Sequence, residues 1–372
     1  MQHIANKNPY FPNLDGLRFF CFLFVFFFHS FYTEYDYISS DPVYRFVKFR
    51  IFGNGNLGVN FFFVLSGFLI TYLLIIEKQR TAINIKNFYI RRVLRIWPLF
   101  FFCVFFGFVL FPQFKMLFGV AGNETAKPLY YLLFINNFDF ISNPPDSSVL
   151  SVLWSVAIEE QFYLVWPLLL GVIPVHYFYV IFFAVILQSI AFRFIYTDPH
   201  LHEYHTLSCI GDMAIGALGA WAMCFLPLLQ SKIRALSKVY IWLLYFLVIA
   251  IFLFRKDIMD INPVVTAIER TLIAAIFLCV ILEQNYADSS LFKLSRIPLI
   301  TSLGKRTYGL YCLHFIGILF ATTVSKIFHF NTSLWQILLV DTTVALFSTL
   351  LLAEISYRFY EKPFMRLKEK FG

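Results

Sequence analysis

Apolar residues gather in ten long runs, near 19–33, 58–76, 96–111, 154–173, 177–196, 208–229, 239–254, 265–282, 308–328 and 334–356. A helix that crosses a bilayer takes about 20 mostly apolar residues, so each run is read as one transmembrane helix. An eleventh stretch, "PLYYLLFINNF" at 128–138, is only about half that length and is expected to be re-entrant or interfacial. No internal repeat and no long polar linker divides the chain. The pattern therefore predicts an all-α integral membrane protein of about ten transmembrane helices, one membrane unit over residues 1–372.

Composition strengthens this reading. Hydrophobic residues make up 59% of the 372, charged residues 14%, and 49 are phenylalanine, more than one water-soluble core could bury. The first apolar run is flanked by Asp15 and Arg18 and follows no basic segment with a small-residue cleavage site, so it is not read as a cleavable signal peptide. The cysteines, Cys21, Cys103, Cys209, Cys224, Cys279 and Cys312, are scattered through apolar stretches without metal-ligand spacing. They are read as buried small hydrophobes.

The net charge of +8 raises the question of nucleic acid, but no basic stripe or aromatic-interleaved module accompanies it, and no nucleic-acid partner is expected. The charges speak instead to orientation. With the N-terminus inside, the inner segments carry 20 of the 30 Lys and Arg, counting Lys7 and Arg18, and the outer loops carry 7. The other three, Arg193, Arg270 and Lys326, fall within spans. Were 128–138 to cross, every later loop would invert and most of the basic tail would lie outside. Both termini are therefore expected to be cytoplasmic.

Polar residues within the spans carry the candidate chemistry, because ionisable groups there are costly and usually face the bundle interior or a water-filled path. The stretch "LDGLRFFCFLFVFFFH" places Arg18 and His29 eleven residues apart. That leaves them within about 20° on one helix face and about 16–17 Å apart along the axis. "FYIRRVLRIWP" at 88–98 crowds Arg91, Arg92 and Arg95 within about one turn. Anchoring at the inner surface explains such a cluster; so does a phosphate clamp, since the guanidinium fork matches phosphate oxygens. "LWSVAIEEQFYLVWP" sets Glu159 and Glu160 one to two turns inside the outer surface, at about the expected depth of His29. Arg193, Asp212, Glu269, Arg270 and Asp341 gather near outer span ends, a polar basin suited to a hydrophilic acceptor. Ion pairing of Glu159 or Glu160 with Arg193 or Arg270 is the structural alternative.

Three motifs carry little. "GNGNLG" at 53–58 fits G-x-G-x-x-G, but no strand precedes it. "HLHEYH" at 200–205 lacks the H-E-x-x-H spacing, and no metal is expected. Ser66 in "FVLSGFL" has no G-x-S-x-G frame and no evident partner.

Taken together, "LDGLR…H" (14–29), "GVNFFFVLSGFLI" (58–70), "FYIRRVLRIWP" (88–98), "WSVAIEEQFYLVWP" (154–167), "TYGLYCLH" (307–314) and "EKPF" (361–364) resemble the acyltransferase-3 family of integral-membrane O-acyltransferases. The resemblance covers essentially the whole chain. It implies transfer of an acyl group, most often acetyl, from cytoplasmic acyl-CoA to a hydroxyl of a saccharide or glycoconjugate, in the bacterial inner (cytoplasmic) membrane. By family analogy His29 and Arg18 carry the first-helix motif, and Arg92 and Arg95 the basic pair. The esterase-like domain that some relatives append is not expected here, and Thr307 and Cys312 depart from the residues common in the "TYGLYCLH" block, so the resemblance assigns His314 no role.

On this reading acetyl-CoA is a donor substrate, with no permanently bound cofactor. Its phosphates would meet Arg92, Arg95, Arg91 and Arg18, and its thioester would lie near His29. The imidazole would act either as nucleophile or as general base. Glu160, with Glu159 beside it, would set the tautomer. Arg193, Asp212, Glu269 and Arg270 would bind the acceptor. A membrane exporter using the same buried ionisable residues is the alternative, weakened by the absence of a repeated pair of Gly/Pro-broken helices.

Overall fold

The computed structural model describes residues 10–117, 119, 122–259 and 262–371; Lys7, counted above among the inner charges, lies outside them. The described residues form helices, with no strand among them. Ten helices are long. They are α1 (Pro12–His29), α2 (Leu57–Arg80), α3 (Ile85–Leu117), α4 (Leu153–Val172), α5 (Phe178–Ile195), α6 (Thr206–Phe225), α7 (Lys238–Met259), α8 (Pro263–Tyr286), α9 (Thr307–Ile327) and α10 (Gln336–Phe371). All but α1 meet a membrane-span standard of length and apolarity. Asn13, Asp15, Arg18 and His29 interrupt the apolar run of α1.

Local chemistry sets the helix ends. Pro12 and Pro263 open α1 and α8, where the missing N–H has no helical partner to lose. The Asn84 side chain caps α3 by accepting from Asn87 N at 3.0 Å, and Asn262 caps α8 by accepting from Val265 N at 2.9 Å. Inside α3, Pro98 interrupts the ladder. Carbonyls beside it also accept from tyrosines of other helices: Tyr308 donates to Ile96 O at 2.8 Å and Tyr360 to Pro98 O at 3.0 Å. These bonds pin α3 to α9 and α10.

The centre of the bundle is the crossing of α2 and α6. In each, 72% of the most apolar window is buried, against 17% for α7. The two backbones touch because glycine faces backbone on both sides. A Cβ on Gly67 would lie 1.9 Å from Met213 O, and one on Gly216 would lie 1.9 Å from Val64 O. Peripheral α7 packs on α8 and turns Trp242, Phe246 and Ile249 outward, where acyl chains would cover them. The polar end of α1 is held by the short helix Pro298–Gly304, against which its backbone packs so closely that a Cβ on Gly304 would meet Asp15 O at 1.9 Å.

Residues 128–138 do not cross. They fall in two helices of five and seven residues, Pro128–Leu132 and Asn136–Ser142, broken at Phe134 with φ 54°. Gln161 of α4 donates to Phe134 O at 2.8 Å, and Asn137 donates to Tyr204 O at 3.1 Å. The segment is tied to the bundle by polar contacts that a lipid-facing span could not use.

Candidate active site

Two cavities flank the functional residues. The first, about 410 Å³, opens at the N-terminal end of α1. There Asp15 accepts from Arg18 Nη1 at 2.8 Å and from the Tyr10 hydroxyl at 2.7 Å. Arg92 and Arg95, one turn apart on α3, join Arg18 in the lining, and Lys305 adds a fourth cation. Arg92 lies between two aromatic faces, 5.5 Å from the Phe88 centroid and 5.6 Å from that of Tyr163. Its buried Nε has no hydrogen-bond partner among the described residues. Arg95 forms no hydrogen bond or ion pair among the described residues. A cavity that gathers Arg18, Arg92, Arg95 and Lys305 around two acids, Asp15 and Glu159, suits an anion with several oxygens.

Arg91 does not belong to this group, contrary to the expectation from sequence. It donates to Phe371 O at 2.7 Å and sits 3.8 Å from Glu77. Adjacent positions on a helix point about 100° apart, so the face that carries Arg92 and Arg95 inward turns Arg91 toward the last turn of α10.

The same geometry separates the two acids of α4. Glu159 lines the first cavity, where Ser66 donates to it at 2.7 Å and the Tyr163 hydroxyl at 3.2 Å. Ser66 thus has partners that the sequence did not reveal. Glu160 turns to α3 and accepts from Trp97 Nε1 at 2.9 Å, leaving its other oxygen buried and without a partner among the described residues. Neither acid pairs with Arg193 or Arg270, and neither meets His29. The helical stretch containing α4 begins at Ser148, not Trp154. At a rise of 1.5 Å per residue, Glu159 lies about 16 Å along it, in the Arg18 layer.

His29 meets another imidazole. Its Nδ1 lies 3.0 Å from Nε2 of His314 on α9, the ring centroids are 5.1 Å apart, and the planes are inclined by 25°. Phe315 packs on the His29 ring at 4.6 Å, so α1 turns this imidazole into the bundle. His314 is fully buried, and its Nδ1 lies 2.6 Å from Tyr311 O. The first cavity reaches Val59, Phe62 and Tyr311 but not His29. Its deep end is one turn of α9 short of the histidine pair.

The second cavity, about 610 Å³, lies beyond the C-terminal end of α1, with Phe28 in its wall. Arg193, Glu269 and Arg270 line it as the sequence led one to expect. Asp212 stands behind, accepting from Arg270 Nε at 2.9 Å and from Asn60 at 3.3 Å. Arg193 donates to Ala267 O, Ser208 O and Thr271 Oγ1 at 2.8, 2.6 and 2.7 Å, joining α5, α6 and α8. Three further charged groups, not foreseen, lie in the wall: Lys256, Arg255, 2.6 Å from Glu269, and Glu203, which accepts from Asn56 at 3.2 Å. Asp341 belongs elsewhere, bonded to Ser325 of α9. The histidines of 200–205 diverge. His202 contacts Tyr196 O, while His205 accepts from Leu207 N at 3.2 Å, and burial holds its imidazole below the ordinary value, as a neutral capping group requires.

A family profile described as an acyltransferase domain matches residues 11–358. The chain belongs to the acyltransferase-3 family. Its relatives include a putative peptidoglycan O-acetyltransferase, YrhL, of Bacillus subtilis, 31% identical over 98% of this chain and 56% of the relative. The peptidoglycan O-acetyltransferase OatA of Listeria monocytogenes is 27% identical over 96% of the chain and 56% of its own length. The O-acetyltransferase OatA of Staphylococcus aureus is 30% identical over 95% and 57%. The chain thus spans just over half the length of these relatives. No solved structure matches it. With its long apolar helices, this acyltransferase-3 member is an integral membrane protein of the bacterial cytoplasmic membrane.

Proposed function

We propose that the protein is a membrane O-acetyltransferase that takes acetyl from cytoplasmic acetyl-CoA and delivers it to a hydroxyl of a peptidoglycan-type saccharide on the far side. The single observation that carries this reading is the placement of His29. Its ring faces into the bundle between an arginine-lined cavity at one end of α1 and a polar cavity at the other. The named activities of the relatives support the acetyl group and the saccharide; the excess of basic residues at the Arg18 end supports donor entry from the cytoplasm.

Arg92 and Arg95 would hold the donor phosphates, assisted by Arg18 and Lys305. The thioester arm would run past Ser66 and Tyr311 toward His29. The Nε2 lone pair of His29 attacks the acetyl carbon, the C–S bond breaks, and coenzyme A leaves as thiolate. A saccharide hydroxyl entering from the second cavity then attacks the acetyl-imidazole. The C–N bond breaks, the hydroxyl proton passes to the freed Nε2 of His29 and from there to water in the second cavity, and the departed thiolate takes one proton from water in the first. Two separate chambers favour this relay over direct transfer, which needs both substrates in contact. Arg193, Arg255, Arg270 and Glu269 would orient the saccharide, with Asp212 holding Arg270.

The test is mass spectrometry of cell-wall saccharides from cells carrying wild-type or His29→Ala protein at equal membrane abundance. The expected result is O-acetylation that depends on the wild-type gene and is absent with His29→Ala. Near-wild-type acetylation by His29→Ala contradicts the proposal.

A further inference from the structure

We infer that His314 is a positioning residue for the acyl transfer: it fixes the tautomer of His29 and holds its Nδ1 proton while the acetyl group is attached. The inference rests on the reading of His29 given above. A neutral imidazole has one N–H and one lone pair. His314 Nδ1 lies 2.6 Å from Tyr311 O, and a carbonyl oxygen can only accept, so the His314 proton is on Nδ1. Its Nε2 therefore presents a lone pair to His29 Nδ1 at 3.0 Å. That contact is a hydrogen bond only if His29 carries its own proton on Nδ1. The chain of donors runs from His29 to His314 to the backbone of α9, and it leaves His29 Nε2 with the lone pair.

The same contact balances the acylated state. When His29 Nε2 bonds to the acetyl carbon, the ring becomes an acetyl-imidazolium, whose Nδ1–H is strongly acidic because the acyl group withdraws electron density. His314 Nε2 takes that proton and becomes an imidazolium, with Nδ1–H still on Tyr311 O. Neutral acetyl-imidazole is the less reactive form, so the acetyl group is held until the acceptor arrives. Return of the proton to His29 Nδ1 makes the ring a better leaving group as the saccharide hydroxyl attacks. A carboxylate at this place would do less well, since it would bring an unpaired buried charge into a resting site of two neutral rings. Among the described residues no carboxylate is hydrogen-bonded to either ring.

The experiment compares purified wild type, His314→Gln and His314→Phe in bilayers, with acetyl-CoA and a soluble chito-oligosaccharide acceptor. Phenylalanine fills the space without an acceptor; the glutamine oxygen can accept from Nδ1–H but cannot hold a proton. The expected kcat falls on the order of 10²–10⁴-fold for His314→Phe, the scale of losing a tautomer-setting partner, with KM for acetyl-CoA within about threefold. His314→Gln is expected to recover at least about tenfold over His314→Phe, which a merely structural role would not produce. Solid-state NMR of ring-¹⁵N-histidine wild type, assigned by difference against the two variants, reads the tautomer without relying on variant activity. His29 in the Nδ1–H form is expected. The inference is overturned by His29 in the Nε2–H form, by a His314→Phe kcat within threefold of wild type, or by a His314→Gln variant no better than His314→Phe. Failure of the underlying reading shows separately, as full activity in His29→Ala, and it removes this inference as well.

Discussion

Removing the guanidinium of Arg95 isolates the donor-binding claim from every other part of the account. Arg95 lines the first cavity and has no hydrogen bond or ion pair among the described residues, so Arg95→Ala breaks no such contact. A hydrogen bond to a charged group contributes about 1.5–3 kcal/mol, and about 1.4 kcal/mol is a factor of ten in affinity. Arg95→Ala is therefore expected to raise KM for acetyl-CoA by about 10–150-fold with kcat little changed. Arg92→Ala should cost somewhat more, because it also strips the cation from between Phe88 and Tyr163. The assay measures initial rates with two donors, acetyl-CoA and acetyl-pantetheine, which carries the thioester but no phosphate. Both variants should match wild type with acetyl-pantetheine. An equal loss with both donors, or an unchanged KM for acetyl-CoA, would refute the phosphate role.

Other consequences concern the scaffold. Asp212→Ala leaves Arg270 buried beside an empty place and is expected to destabilise the protein by about 3–5 kcal/mol, read as a lower thermal midpoint in detergent; an unchanged midpoint contradicts the pairing. Gly67→Ala and Gly216→Ala each drive a methyl into opposing backbone, costing about 1–3 kcal/mol apiece. The double variant should lose less than the sum, since the first substitution already parts α2 from α6, whereas Gly171→Ala, whose nearest neighbour is Ile85 Cδ1 at 3.8 Å, should be neutral. Full additivity of the pair would show that the two glycines do not share one crossing.

The ten long helices were legible because hydropathy is a local property: each run carries its own span, and only the ends moved. One such shift, the helical start at Ser148, carried Glu159 out of the expected His29 layer into the Arg18 layer. The common face of Arg18 and His29 follows from helix periodicity alone. Facing partners do not. The carboxylate expected beside His29 is a histidine 285 residues away on α9, and no spacing within one helix points to it. Likewise Glu159 and Glu160 look equivalent in sequence, yet one turns to Ser66 of α2 and the other to Trp97 of α3. Arg91 is set apart from Arg92 and Arg95 by the position of the last turn of α10, which tertiary packing alone decides.

The most direct measurement of vectorial transfer uses proteoliposomes of known orientation, with acetyl-labelled acetyl-CoA supplied on one side and a membrane-impermeant saccharide on the other. Labelled ester should form when acetyl-CoA is on the side of Arg92 and Arg95 and the saccharide on the side of Arg255 and Arg270, and it should vanish in His29→Ala. Ester formation only when both substrates share one side, or at an undiminished rate in His29→Ala, would contradict a relay through the imidazole of α1.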